Sequence, residues 1–287
     1  MREPEETVDV GLKPLTLPQL FDEIFSLYRQ NFMLFFGIAA VVFVPVSILT
    51  SFFIDDIDTM TASNQLTMDD LVPILTQFGL IIMISWITQM IATAALTKSV
   101  SERYLNRPSS IGSAFGFSLG RFFPYLLTLI LVGLAYLVGI VVLLIPFLGW
   151  IAGPVLLIIF TFWFAFINPV FVVEGYTTAE AMGRSRELAK GNWARIFLVS
   201  LVIFLLGGAV QLAVGAVSVL MFGVSITFTS SLVEGLLQGL ASGFILPIGL
   251  TGMILLYFDV RVREEGYDLE LLAKDLEARS QSGAPLS

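Results

Sequence analysis

Side chains able to do chemistry are scarce here, and the scarcity narrows the readings at once. Among 287 residues there is no histidine and no cysteine. Imidazole acid–base catalysis, the Ser-His-Asp triad, thiolate chemistry and nearly all zinc or haem sites go with them. No Gly-x-Ser-x-Gly, Walker loop or His-Glu-x-x-His occurs either. Carboxylates cluster once, at Asp55, Asp56, Asp58, Asp69 and Asp70. Their oxygens suit calcium, but they lack EF-hand spacing, and a solvated acidic loop is the plainer reading. The expectation is therefore a chain without a cofactor, a metal or an enzymatic activity.

Two other sets of residues can still recognise something. Arg184, Arg186 and Lys190 form one basic group, and Arg261 and Arg263 another. Such cations can contact lipid phosphate or an interface. Arg261 and Arg263 can equally pair with Asp259, Glu264 or Glu265. The second set is uncharged: Gln89, Gln211 and Gln238 lie inside apolar runs. They can line an intramembrane polar site, or act as interhelical hydrogen-bond glue, which is the commoner role.

These groups must be positioned by membrane-spanning helices. The chain is 56% hydrophobic and only 13% charged, where soluble domains carry about 25% charge. That excludes a soluble globule, a disordered chain and a nucleic-acid binder. A span needs about 20 apolar residues. Six fit, near 32–54, 78–97, 123–146, 151–173, 196–222 and 236–258. Between Arg121 and Glu174 lie 52 uncharged residues, too long for one helix. Pro146-Phe147-Leu148-Gly149-Trp150 supplies the hairpin that divides them. The predicted fold is all-α and polytopic: a membrane domain over 16–279, a flexible start over 1–15 and a disordered tail over 280–287.

The charges agree with six spans. All 15 Lys and Arg residues fall before span one, between spans two and three, between four and five, or after six. The alternate loops hold none. The positive-inside rule then places both termini in the cytoplasm of a cell whose inner membrane holds the protein. Residues 1–15 are acidic and lack the apolar core of a cleaved signal peptide.

A repeated unit is also legible. Leu17, Leu20, Phe21, Ile24, Phe25 and Tyr28 recur at helical spacing ahead of span one. Thr16-Leu17-Pro18-Gln19 reads as a capping box, and Thr177-Thr178-Ala179-Glu180 reads as the same box 161 residues later. That offset also aligns Leu27 with Leu188 and Asn31-Phe32 with Asn192-Trp193. A looser copy, from Pro108 to Phe123, precedes span three. The unit is an interfacial amphipathic helix, a polar–aromatic junction and two spans, present three times. The first helix carries Asp22 and Glu23, which suits packing against protein better than adsorption to anionic lipid. Gly112, Gly116 and Gly120 share one helical face that can pack closely. Gly239-x-x-x-Gly243 and Gly149-x-x-x-Gly153 permit close helix contact. Pro154, Asn168-Pro169 and Pro247 are expected to interrupt or kink spans four and six.

The stretch from span four onward resembles a known group. Pro169-Val170 through Glu174-Gly175 comes first, then Arg184-Ser-Arg-Glu-Leu-Ala-Lys-Gly-Asn-Trp193, then Tyr257-Phe-Asp-Val-Arg-Val-Arg-Glu-Glu-Gly-Tyr-Asp-Leu-Glu270. Together these resemble the membrane domain of glycerophosphoryl diester phosphodiesterases, a prokaryotic polytopic family. The resemblance implies the class but not the hydrolysis, because the short segment after span six cannot form a catalytic barrel of roughly 250 residues. Gly266 is expected to turn the chain, with Asp268 capping a helix that presents Leu269, Leu272 and Leu276. The functional expectation is a non-enzymatic membrane scaffold or accessory domain contacting membrane lipids, a protein partner or another copy of itself. The alternative is a transporter or permease for a lipid-like or neutral amphiphilic molecule, using the kinked spans.

Overall fold

Apolar runs of this length satisfy their backbone only as helices once water is excluded, and the computed structural model is helical throughout. It describes residues 13–62, 68–223, 228–267, 269, 270 and 273. The order is α1 (Leu17–Gln30), α2 (Phe32–Ala62), α3 (Met68–Tyr104), α4 (Ile111–Gly120), α5 (Phe122–Leu143), α6 (Leu148–Trp163), α7 (Ile167–Pro169), a π-helical turn (Val170–Glu174), α8 (Thr178–Ala189), α9 (Trp193–Phe222) and α10 (Phe228–Glu265). Among the described residues there is no strand. Six segments are long and apolar enough to cross a membrane. Large apolar side chains such as Phe204, Leu212 and Leu220 face outward from them. The chain is a multi-pass membrane protein.

The succession short helix, long, long occurs three times, with the fourth crossing broken into α6, α7 and the π turn. The three junctions share a backbone conformation. Asn31 sits at φ −117°, ψ 22°, Arg121 at −110°, 19° and Asn192 at −107°, 11°. The side chains of Asn31 and Asn192 also donate to the equivalent carbonyls, Leu27 and Leu188. The 161-residue offset thus corresponds to a repeated local structure.

Several helices run past the expected spans. α3 extends to Tyr104 and α10 to Glu265, because i,i+4 pairs such as Lys98–Glu102 and Arg261–Glu265 keep the polar ends helical. α10 is the most buried of the six crossings. Its main partner is α2, and glycine sets their approach. A Cβ at Gly235 would sit 2.6 Å from the Ile48 Cα, and one at Gly239 2.6 Å from the Val44 Cα. Within the α5–α6 hairpin a Cβ at Gly149 would meet the Val142 carbonyl oxygen. Both Gly-x-x-x-Gly pairs are therefore real contacts.

Other expectations change. Among the described residues nothing lies within 4 Å of a Cβ placed on Gly112, Gly116 or Gly120, and none packs on that face; α4 is seated instead by buried Ala114 and Ser118. Thr16 forms its box, with its N–H donated to Gln19 Oε1 at 2.9 Å. Thr177 makes no side-chain cap bond. The neighbouring Thr178 adopts φ 54°, and its N–H donates to Thr128 Oγ1 at 2.8 Å, fastening α8 to α5 instead. Pro154 and Pro247 lie within continuous helices. Only the Pro169 region is broken. The acidic loop side chains and Asp268, Leu272 and Leu276 lie outside the described residues.

α1 docks on the bundle as its acidic polar face suggested. Leu20, Ile24, Leu27 and Tyr28 are buried in a core that also holds Ile254, Leu255 and Phe258 of α10. Burial pushes the Tyr28 hydroxyl pKa up to about 12. Its O–H donates to the Phe244 carbonyl at 3.2 Å.

Candidate functional site

The end of α10 reads Tyr257-Phe-Asp259-Val-Arg261-Val-Arg263-Glu-Glu265. On a helix, residues four apart share a face, so Tyr257, Arg261 and Glu265 lie on one side. Asp259 and Arg263, two residues out of phase, lie on the opposite side. Each side becomes the centre of a polar cluster at the basic end of the bundle.

The first cluster gathers around Glu174, the last residue of the π turn. Its Oε1 accepts from the Tyr257 hydroxyl at 2.7 Å, and its Oε2 from Arg184 Nε at 2.8 Å. Arg184 also bridges to Glu265 at 2.6 Å and to Glu187 at 3.3 Å. Burial alone would lower the Arg184 pKa, but the hydrogen bonds and charges of Glu174 and Glu265 outweigh it and raise it. Arg261 Nε lies 3.0 Å from Glu265, and its guanidinium covers the Tyr267 ring at 3.9 Å. Gly266, at φ 62°, turns the chain to bring Tyr267 there. That positive φ is where glycine costs least.

The second cluster clasps one peptide group. The Asp259 side chain is fully buried and pairs with Arg195 at 2.5 Å and Arg263 at 3.0 Å. Its Oδ1 accepts the Leu15 N–H at 2.6 Å. The Leu15 carbonyl in turn accepts from Arg195 Nη2 at 2.7 Å and Arg263 Nη2 at 2.6 Å. The segment ahead of α1 is thereby tied to α9 and α10 through a backbone N–H and C=O.

A third feature repairs the broken crossing. α6 ends at Trp163, and Ser185 of α8 reaches into the break. Its Oγ donates to the Trp163 carbonyl at 2.8 Å and accepts the Phe166 N–H at 3.2 Å. Buried backbone groups need such partners. Asn168 takes the Tyr125 hydroxyl at 2.7 Å nearby.

The predicted residues divide clearly. Arg184, Arg261 and Arg263 pair with Glu174, Glu265 and Asp259 within the chain. Arg186 and Lys190 have no carboxylate within 4 Å among the described residues. They line a pocket with Trp163, Gly191, Trp193 and Ala194. The three glutamines are not brought together. Gln89 and Gln211 are exposed on the outer surfaces of α3 and α9, while Gln238 is half-buried on α10. Gln89 donates only to Thr93, at 3.4 Å. A polar pocket does exist, at the basic end: about 280 Å³ lined by Lys98, Ser101, Glu102, Arg107 and Tyr267 among others.

Glu174, Arg195, Tyr257, Ser185 and the Leu15 peptide are members of these polar networks that the sequence did not single out as site residues. The i,i+4 repetition of acid and base in α10 was a usable signal for two buried networks. Nothing in the local sequence marks Leu15. Chemically the clusters are saturated: every oxygen of Glu174, Asp259 and Glu265 already accepts from a hydroxyl, an amide or a guanidinium. Among the described residues no group of three or more acidic side chains could hold a metal ion. No known protein family, curated protein or solved structure matches the chain.

Proposed function

We propose that this chain is a non-enzymatic protein of a prokaryotic inner membrane, with both termini cytoplasmic, working as a scaffold or accessory domain that contacts lipid or a partner protein. The saturated polar clusters carry this reading. The charges most deeply placed in the chain are consumed in tying α1, α8, α9 and α10 together, which serves rigidity rather than turnover. The separation of Gln89, Gln211 and Gln238 supports it as well, since a permease for a neutral amphiphile would need polar groups along one path. Family membership is proposed on the residues quoted above, which supply Glu174, Arg184, Tyr257, Asp259, Arg261, Arg263 and Glu265 to the two clusters, while Arg195 and Leu15 lie outside them. Orientation rests on the distribution of the 15 basic residues.

The test is reconstitution into liposomes. Flux of fluorescent lipid between leaflets, uptake of a neutral amphiphile and hydrolysis of a glycerophosphodiester are each expected to equal the protein-free background. Flux or hydrolysis above background that Glu174→Gln or Gln238→Ala abolishes would sink the scaffold reading.

A further inference from the structure

The α8–α9 junction keeps its cations for something outside the chain. Arg186 and Lys190 are exposed and line one pocket of about 460 Å³. Its walls are aromatic and already in place. The Arg186 guanidinium lies 4.0 Å over the Trp163 ring, and Trp193 stacks on Phe162 at 5.1 Å with a 6° interplanar angle. A guanidinium held over an indole keeps N–H groups for an anion and loses little side-chain entropy when one arrives. The pocket sits where the apolar crossing α9 begins. That is headgroup level for a lipid, and the level where tryptophan is enriched.

The repeat offers a second, independent observation. The 161-residue offset carries Phe25, Arg29 and Phe32 onto Arg186, Lys190 and Trp193. Those three line another pocket of about 460 Å³, at the α1–α2 junction, whose remaining walls are mostly apolar groups of α9 and α10, including Phe244. Among the described residues Arg29 is its only charged lining residue, and no carboxylate of them lies within 4 Å of it. Two units thus place a pocket with apolar or aromatic walls and cationic charge at the same junction, and the α8–α9 copy carries two cations rather than one.

We propose that the α8–α9 pocket binds the phosphate of an anionic phospholipid, with Arg186 and Lys190 on the phosphate and Trp163 and Trp193 against the glycerol and upper acyl chain. This rests on the reading above that the chain contacts lipid, and it names the site and the ligand class. A basic surface alone attracts anionic lipid weakly and without geometry; the stacked Arg186 and the walled pocket add the geometry.

The full chain in a neutral detergent is titrated with phosphatidylglycerol bearing brominated acyl chains and with brominated phosphatidylcholine, with inorganic phosphate added as a competitor, and tryptophan quenching is read. Each cation near a membrane surface gives about fivefold in affinity for an anionic lipid. Phosphatidylglycerol should therefore bind about 25-fold more tightly than phosphatidylcholine, by two such factors. Arg186→Gln with Lys190→Gln should erase that preference at unchanged melting temperature. Arg186→Lys with Lys190→Arg should keep most of it, and Arg107→Gln, an exposed cation elsewhere, should keep all of it. A preference that survives the double glutamine variant overturns the site while leaving the lipid-contact reading standing. Equal quenching by both lipids in the unmodified protein overturns the anionic-lipid site, and quenching by neither overturns the lipid-contact reading as well. Inorganic phosphate binding as tightly as phosphatidylglycerol overturns the lipid as ligand and assigns the pocket to a soluble phosphate. Equal loss in Arg107→Gln reduces the effect to diffuse surface charge and overturns the pocket.

Discussion

Replacing Asp259 by Asn tests the second cluster directly. The substitution keeps size, shape and an oxygen able to accept the Leu15 N–H, and removes only the charge. In the native chain that charge faces Arg195, 19% exposed at its side chain, and Arg263, 38% exposed. Removing one partner of a buried pair costs about 3–5 kcal/mol. The partial exposure of both arginines, and their retained bonds to the Leu15 carbonyl, lower this to about 2–3 kcal/mol. The assay is unfolding in mixed detergent and denaturant, with hydrogen exchange at the Leu15 amide as a local probe. Asp259→Asn should lose stability while Leu15 stays protected. Asp259→Ala should lose at least as much stability and expose the amide as well. Adding Arg195→Gln to Asp259→Asn should recover part of the loss, because one uncompensated cation goes with the carboxylate. Stability within about 0.5 kcal/mol of the unmodified protein, the range of ordinary surface changes, would refute the reasoning. So would fast exchange at Leu15 in the unmodified chain.

Other outcomes follow from particular contacts. Gly239→Leu should destabilise the α2–α10 pair by about 1–3 kcal/mol or more through overpacking, whereas Gly116→Ala, with open space around it, should stabilise α4 by up to about 1 kcal/mol; thermal melts with opposite shifts check both. Ser185→Ala leaves the Trp163 carbonyl and Phe166 N–H unpaired and should cost about 2 kcal/mol, read from the same melts. Single cysteines at Ser110, Lys190 and Phe147 report topology. Impermeant maleimide should label Phe147→Cys from one side of the membrane and the other two from the opposite side, while Ser185→Cys should resist labelling because that side chain is buried.

Much of the architecture was legible because apolar length is a strong local signal, and six crossings follow from it. The junction repeat was legible for a similar reason, since Leu27-x-x-x-Asn31 and Leu188-x-x-x-Asn192 bond within their own turn. The helix ends were not, because hydropathy stops at the charged residues while the backbone hydrogen bonds continue through Lys98–Glu102 and Arg261–Glu265. The box at Thr177 misled, because the Thr178 amide is claimed by Thr128, 50 residues away. The polar clusters were half legible. Asp259–Arg263 could be read from spacing, but its tie to Leu15 spans 244 residues, and no periodicity encodes such a distance. Ser185 carries no local signal of its role, because the break it fills lies in another helix.

The clasp on Leu15 also sets an order of events in biosynthesis. α1 leaves the ribosome long before α9 and α10, yet the groups that hold its leading segment belong to them: Arg195 to α9, and Asp259 and Arg263 to the last crossing. During synthesis the first helix has its own apolar face and α2, but nothing to grip the peptide ahead of it. Arg195 of α9 brings the first part of that grip, and it is complete only when the final crossing adds Asp259 and Arg263. A chain stopped short of Arg263 would carry most of its membrane-spanning segments and still present a loose leading segment to a protease. The clasp therefore distinguishes a finished molecule from an unfinished one at the segment just ahead of its first helix.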